Sequence, residues 1–113
     1  MDTIFALSSA AGKSGVGIIR ISGPEARQAF VLVGGPLRPR HATLRRLRRA
    51  DGEHVDTCLA LYFEAGESFT GEDVLELQVH GSPAVVSAVL DELGRLDGFR
   101  HAEAGEFTRR AFE

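Results

Sequence analysis

Residues 68–81, SFTGEDVLELQVHG, constrain this chain more than any other stretch. A polar loop runs into a segment of strict alternation. Leu75, Leu77 and Val79 fall on one side, and Glu76, Gln78 and His80 on the other, because successive strand side chains point to opposite faces. The pattern predicts a half-buried strand. Its polar face sets an acid, an amide and an imidazole in a row, which suits reading the edge of a heterocycle. Residues 15–23, GVGIIRISG, predict a second strand and supply a counter-charge. There Arg20 sits between isoleucines, where a cation is costly unless it has a partner.

A chain of 113 residues with 43% apolar content is expected to form one domain over 1–113, with a single core and no staples. Cys58 is the only cysteine, so an intrachain disulfide is excluded, which fits a reducing compartment. It lies in the apolar run CLALYF and reads as a small buried hydrophobe rather than a nucleophile. No apolar run has membrane-spanning length, and the N-terminus lacks a signal-peptide pattern. The expectation is a cytoplasmic protein with no membrane partner.

The net charge of −3 hides an asymmetry. Residues 1–50 carry nine Lys or Arg against Asp2 and Glu25, a balance of +7, whereas residues 51–113 carry four Arg against fourteen acids, a balance of −10. Such halves pair within the fold or across a dimer. They do not predict indiscriminate nucleic-acid binding, which needs a net basic surface.

Further elements follow from pattern. Residues 3–9 read as a strand. SGPE at 22–25 starts a helix with Ala26, Phe30 and Val33 at helical spacing, and Gly34-Gly35-Pro36 ends it. Asp51-Gly52 signals a hairpin between strands at 42–49 and 55–63. The basic segment 38–49 reads as a charged edge strand rather than an RNA-facing strip, since no aromatic residue interleaves its arginines. Ser82-Pro83 caps a helix whose apolar face is Val85, Val86, Val89, Leu90 and Leu93. A short strand is expected within 99–103 and a last helix over 105–113. Its abrupt end reads as the edge of a piece of a longer protein.

AAGKSG at 10–15 does not complete a phosphate-binding loop. That pattern needs glycine where Leu7 stands, and a following helix where a strand is expected. Its glycines are expected to allow close backbone approach. Arg20 and Glu76 have two readings, a structural ion pair within a sheet or the polar end of a planar-ligand pocket. In the second, the carboxylate accepts from a ring N–H and an exocyclic amine, as a pterin presents, and the guanidinium holds a carboxylate or carbonyl. His80 alone is a weak metal ligand, and His41, His54 and His101 are scattered, so no metal site is expected. Glu106, Thr108 and Arg109 read as surface residues. No catalytic constellation is supported.

These residues resemble a known family. The motifs are DTI at 2–4, GVGIIRISGP at 15–24, SFTGEDVLEL at 68–77, HG at 80–81 and GEFTRRAF at 105–112. They cover nearly the whole chain and resemble the N-terminal domain of the MnmE (TrmE) family of tRNA modification GTPases. The resemblance implies an α+β fold, a small mixed sheet with flanking helices, related to the tetrahydrofolate-binding domain of glycine-cleavage T-proteins. It implies homodimerisation and binding of 5-formyltetrahydrofolate or a related tetrahydrofolate, with Arg20 and Glu76 as folate contacts. A third contact is implied from a lysine in an Asn-x-Lys-x-Asp-Leu segment beyond Glu113. The full-length protein is implied to use GTP, Mg and K in a separate domain. With the FAD-dependent partner MnmG (GidA), it is implied to modify carbon 5 of the wobble uridine of certain tRNAs. This chain alone is therefore expected to bind rather than catalyse, with tRNA engaged only through the full complex.

Overall fold

The computed structural model describes residues 2–9 and 15–112. Strands β1 (Thr3–Ser9), β2 (Val16–Ser22), β3 (Thr43–Arg48), β4 (His54–Phe63), β5 (Val74–His80) and β6 (Phe99–His101) form one sheet in the order β3-β4-β5-β2-β1-β6. All neighbours are antiparallel except β1 and β6, which are parallel. β5 therefore runs parallel to β6 across β2 and β1, and helix α1 (Pro83–Gly94) supplies the crossover between them. The result is a small mixed α/β domain, with a short α2 (Glu106–Ala111) after β6.

Alternation places one face of the sheet in the core. Phe5, Ile19, Ile21, Cys58, Ala60, Leu75, Leu77 and Val79 are buried there against Val86, Val89 and Leu93 of α1. Ser82 caps α1 as expected, its Oγ accepting from the N–H of Val85 at 3.3 Å, with Pro83 in the first turn. Gly17 on β2 lets the helix approach: a Cβ there would lie 3.4 Å from a Val86 methyl. Gly23 is required more strictly. Its φ is +149°, and a Cβ would meet the Thr3 backbone at 2.5 Å.

The segment after Pro24 differs from expectation. It is a 3₁₀ helix, Ala26–Val33, ended by Gly34 in the left-handed conformation. Ala26, Ala29 and Leu32 are buried at a spacing of three, the eclipsed period of 3₁₀ geometry, while Phe30 is only half-buried and packs edge-on against Tyr62 at 5.1 Å. Two alanines on the buried stripe bring this segment close to the sheet.

The charge asymmetry is met in part within the chain. Arg20 pairs with Glu76, Arg27 with Asp73, Arg40 with Glu67 and Arg49 with Glu92, each joining the basic half to the acidic half. Glu92 is 3% exposed and also accepts the backbone N–H of Ala50 at 2.6 Å, tying α1 to the end of β3. Among the described residues no helix is long and apolar enough to cross a membrane.

Candidate functional site

The second face of the sheet carries Ile18, Arg20 and Ser22 of β2, and Val74, Glu76, Gln78 and His80 of β5. Arg20 and Glu76 stand directly opposite in the ladder, and Leu61 of β4 flanks Glu76 on its other side. Arg20 Nη2 donates to Glu76 Oε1 at 2.9 Å, and Gln78 Nε2 donates to Glu76 Oε2 at 3.0 Å. The two side chains of the ion pair are 31% and 16% exposed, so the pair is neither in the core nor freely hydrated. Each carboxylate oxygen keeps a further lone-pair direction, and the guanidinium has donors beyond the one given to Glu76.

A cavity of about 270 Å³ opens over this pair, lined by Arg20, Phe63, Ser68, Phe69, Val74 and Glu76, with Glu67 at its rim. Phe63 is the in-register neighbour of Val74. Phe69 reaches out from the loop 64–73 and is 58% exposed. The site thus combines two aromatic rings with a carboxylate–guanidinium pair, a chemistry suited to a flat, polar-edged ligand. Sequence reasoning found the charged pair but missed Phe63, Phe69 and Ser68. An aromatic residue inside a polar turn segment was the available signal.

The loop is closed on itself. Gly66 N–H donates to the Gly71 carbonyl at 2.9 Å, Ala65 N–H to Asp73 at 2.8 Å, and Ser68 Oγ to the Glu72 carbonyl. Thr70 is buried and shares a 2.7 Å hydrogen bond with Ser22 of β2.

A larger cavity of about 850 Å³ lies on the other side, between α1 and β1, lined by Phe5, Leu7, Val86 and Leu90. Its charged rim residues Asp91 and Arg95 pair with each other at 3.2 Å. Ser87 and His101 also line it, but the lining is mostly apolar and lacks the cross-strand carboxylate–guanidinium pair of the smaller cavity, which is therefore the better candidate for recognising a polar-edged ligand.

His80 continues the polar row at the end of β5. The buried Asp56 carboxylate bonds its ring Nδ1 at 2.7 Å and accepts its backbone N–H at 2.8 Å. Asp56 therefore orients the ring and takes the place of a ladder partner at the strand end. Nearby, burial and then the charge of Asp56 push the Cys58 thiol up to about 12, which makes it an inert core group as expected.

Two expectations need correction. Glu106 is not a surface residue. It is 4% exposed, because Arg100 grips it bidentately at 2.8 and 2.6 Å and Arg110 approaches at 3.2 Å. These hydrogen bonds from Arg100, with one from the Glu103 N–H, lower its carboxyl to about 2. Thr108 and Arg109 are exposed as expected. Gly15 makes no close approach to a described neighbour through its Cα: its φ is +72° and no described atom lies within 4 Å of a would-be Cβ, so its freedom serves the turn. The rest of the 10–14 loop lies outside the described residues.

The basic segment is largely spent on structure. Arg45 donates to the carbonyls of Val33, Gly35 and Pro36, and Arg48 to that of Gly52. As expected, 43–48 forms an edge strand.

The family model for the GTP-binding protein TrmE N-terminus matches residues 3–113. The chain is 60% identical over 113 residues to a tRNA modification GTPase MnmE of Rhizobium meliloti, covering 99% of this chain and 26% of that protein. It is 60% identical over 116 residues to one of Cereibacter sphaeroides, covering 100% and 26%, and 54% identical to one of Bordetella parapertussis, covering 96% and 25%. The chain thus spans about a quarter of the length of the curated relatives it matches. From these matches over nearly every residue, the chain belongs to the family of MnmE (TrmE) N-terminal domains.

Proposed function

We propose that this domain binds a formyl-tetrahydrofolate at the Arg20–Glu76 pair and serves as the one-carbon-donor module of a tRNA modification GTPase. The observation that carries the reading is the 2.9 Å cross-strand pair beneath a cavity walled by Phe63 and Phe69. A pterin presents a ring N–H and an exocyclic amine side by side, which a carboxylate accepts as a pair. Arg20 then holds another polar part of the ligand, and the phenyl rings cover its flat faces. The fold relation to the folate domains of glycine-cleavage T-proteins belongs to the same reading.

The domain also dimerises in this account. Family membership supports it, together with Leu44 and Leu59, which lie exposed on the open face of the sheet. In the parent protein the donor serves carbon-5 modification of the wobble uridine, alongside a flavoprotein partner. GTP with its metal ions acts on a separate part.

Titration calorimetry with 5-formyltetrahydrofolate, on the parent protein continuing past Glu113 so that the third implied contact is present, tests the binding claim. Saturable binding is expected. Its absence favours the alternative that Arg20 and Glu76 are only a structural pair within a dimerisation scaffold.

A further inference from the structure

We propose that Arg110 is a positioning residue for the Arg20–Glu76 site, acting through Glu72 on the loop that walls it. The inference rests on the ligand reading above for the site's purpose, but its geometry is independent of it. Arg110 lies on α2, and its side chain is only 9% exposed. Its Nη1 donates to both Glu72 oxygens, at 3.0 and 3.2 Å, and its Nη2 to Glu106 at 3.2 Å. Glu106 is in turn held by Arg100 of β6. The ionic chain therefore runs from the β6 edge through α2 to Glu72.

Glu72 is the knot of the loop. Its Oε1 accepts from Ser22 Oγ at 2.9 Å, its carbonyl from Ser68 Oγ, and its N–H donates to Thr70 Oγ1 at 3.3 Å. Ser68 and Phe69 form the outer wall of the cavity, and Ser22 shares the strand face of Arg20 two residues along. Removing Arg110 leaves a carboxylate that is 18% exposed without its cationic partner, beside Ser22 and Thr70. Its relief is to rotate towards water, which pulls on the same turn that places Phe69.

The test is Arg110→Ala and Glu72→Gln in the parent protein continuing past Glu113, read by amide hydrogen exchange and by 5-formyltetrahydrofolate affinity. Faster exchange is expected at Gly66, Glu67 and Gly71, whose N–H groups bond within the loop, with β2 and β5 unchanged. Affinity is expected to fall about two- to thirtyfold, the range over which groups remote from a ligand modulate a site. Glu72→Gln keeps one oxygen to accept from Ser22 and Arg110 but loses the charge and sets an amide donor where the other oxygen accepts from Arg110, so it should show a smaller effect of the same kind. It decides the matter if Arg110→Ala does not fold. Unchanged loop exchange in a folded variant overturns the proposal, whatever the affinity. So does a lower melting temperature with exchange and affinity both intact, which makes Arg110 a structural brace only. If the unsubstituted parent protein, continuing past Glu113, binds no folate, the ligand reading fails on that ground, and loop exchange still decides the role of Arg110.

Discussion

Arg100 and Glu106 meet through two parallel hydrogen bonds, of 2.8 and 2.6 Å, that bind the last helix to the last strand. This is the fork-to-carboxylate geometry in which an arginine is strongest. The pair fixes the polypeptide at the point where a six-residue helix has little packing of its own.

Acid sensitivity follows from that pair. Glu106 has a folded-state pKa of about 2 against an ordinary 4.5. A depressed carboxyl stabilises the fold fully above the unfolded value and loses that contribution as pH falls through the folded one. The melting temperature is expected to decline between pH 4.5 and pH 2, and to decline less in Glu106→Gln. Thermal melts across this range check it. Equal slopes for the two proteins would contradict the assignment.

Cys58 is expected to resist thiol reagents. Its thiol is 1% exposed and pushed up to about 12, so the thiolate is essentially absent at pH 8. An aromatic disulfide reagent should label it only after denaturation. Labelling of the native chain at the rate of a free thiol would mean that the β4 region opens.

The arginines of the basic segment separate into two kinds. Arg45→Gln removes donors from three carbonyls and is expected to cost about 1–3 kcal/mol of stability. Arg46→Gln, on the exposed side of β3, should stay within about 0.5 kcal/mol. Replacing Arg46 and Arg48 together should change tRNA affinity of the parent protein little. A tenfold or larger loss that shrinks at high salt would instead establish phosphate contacts along this edge.

Self-association is the fourth expectation. Sedimentation at micromolar concentration should show twice the chain mass. A clean monomer at high concentration would contradict dimerisation through this domain and leave the exposed Leu44 and Leu59 to another partner.

Much of this fold was legible because strands write their faces into the sequence. Leu75, Leu77 and Val79 went inward and Glu76 and Gln78 outward, and the cost of a cation between Ile19 and Ile21 pointed to Glu76 before any register was known. The 3₁₀ helix was not legible, because Ala26, Ala29 and Leu32 overlap the pattern of an α-helix that starts at the same residue. The buried acids were missed for a different reason. Asp56, Glu92 and Glu106 are stabilised by donors placed by tertiary structure, and periodicity carries no trace of a bond between Ala50 and Glu92. Phe69 was missed because a loop has no period at all. Its role comes from the turn that Glu72 and Ser22 hold.

Glu76→Leu in the parent protein, continuing past Glu113, tests the central claim most directly, measured by calorimetric titration with 5-formyltetrahydrofolate beside thermal melts. The strand still forms with leucine at this position, while the acceptor pair for the pterin edge is gone. Losing one charged partner in a site that the bound ligand covers costs about 2–5 kcal/mol, at least roughly thirtyfold in affinity. Glu76→Gln should fall between, since its amide keeps one acceptor and sets a donor against a donor. The account predicts this loss of affinity in a protein that remains folded at the temperature of titration. Normal binding by Glu76→Leu, with a melting temperature several degrees lower, would contradict it and make Arg20–Glu76 a structural ion pair.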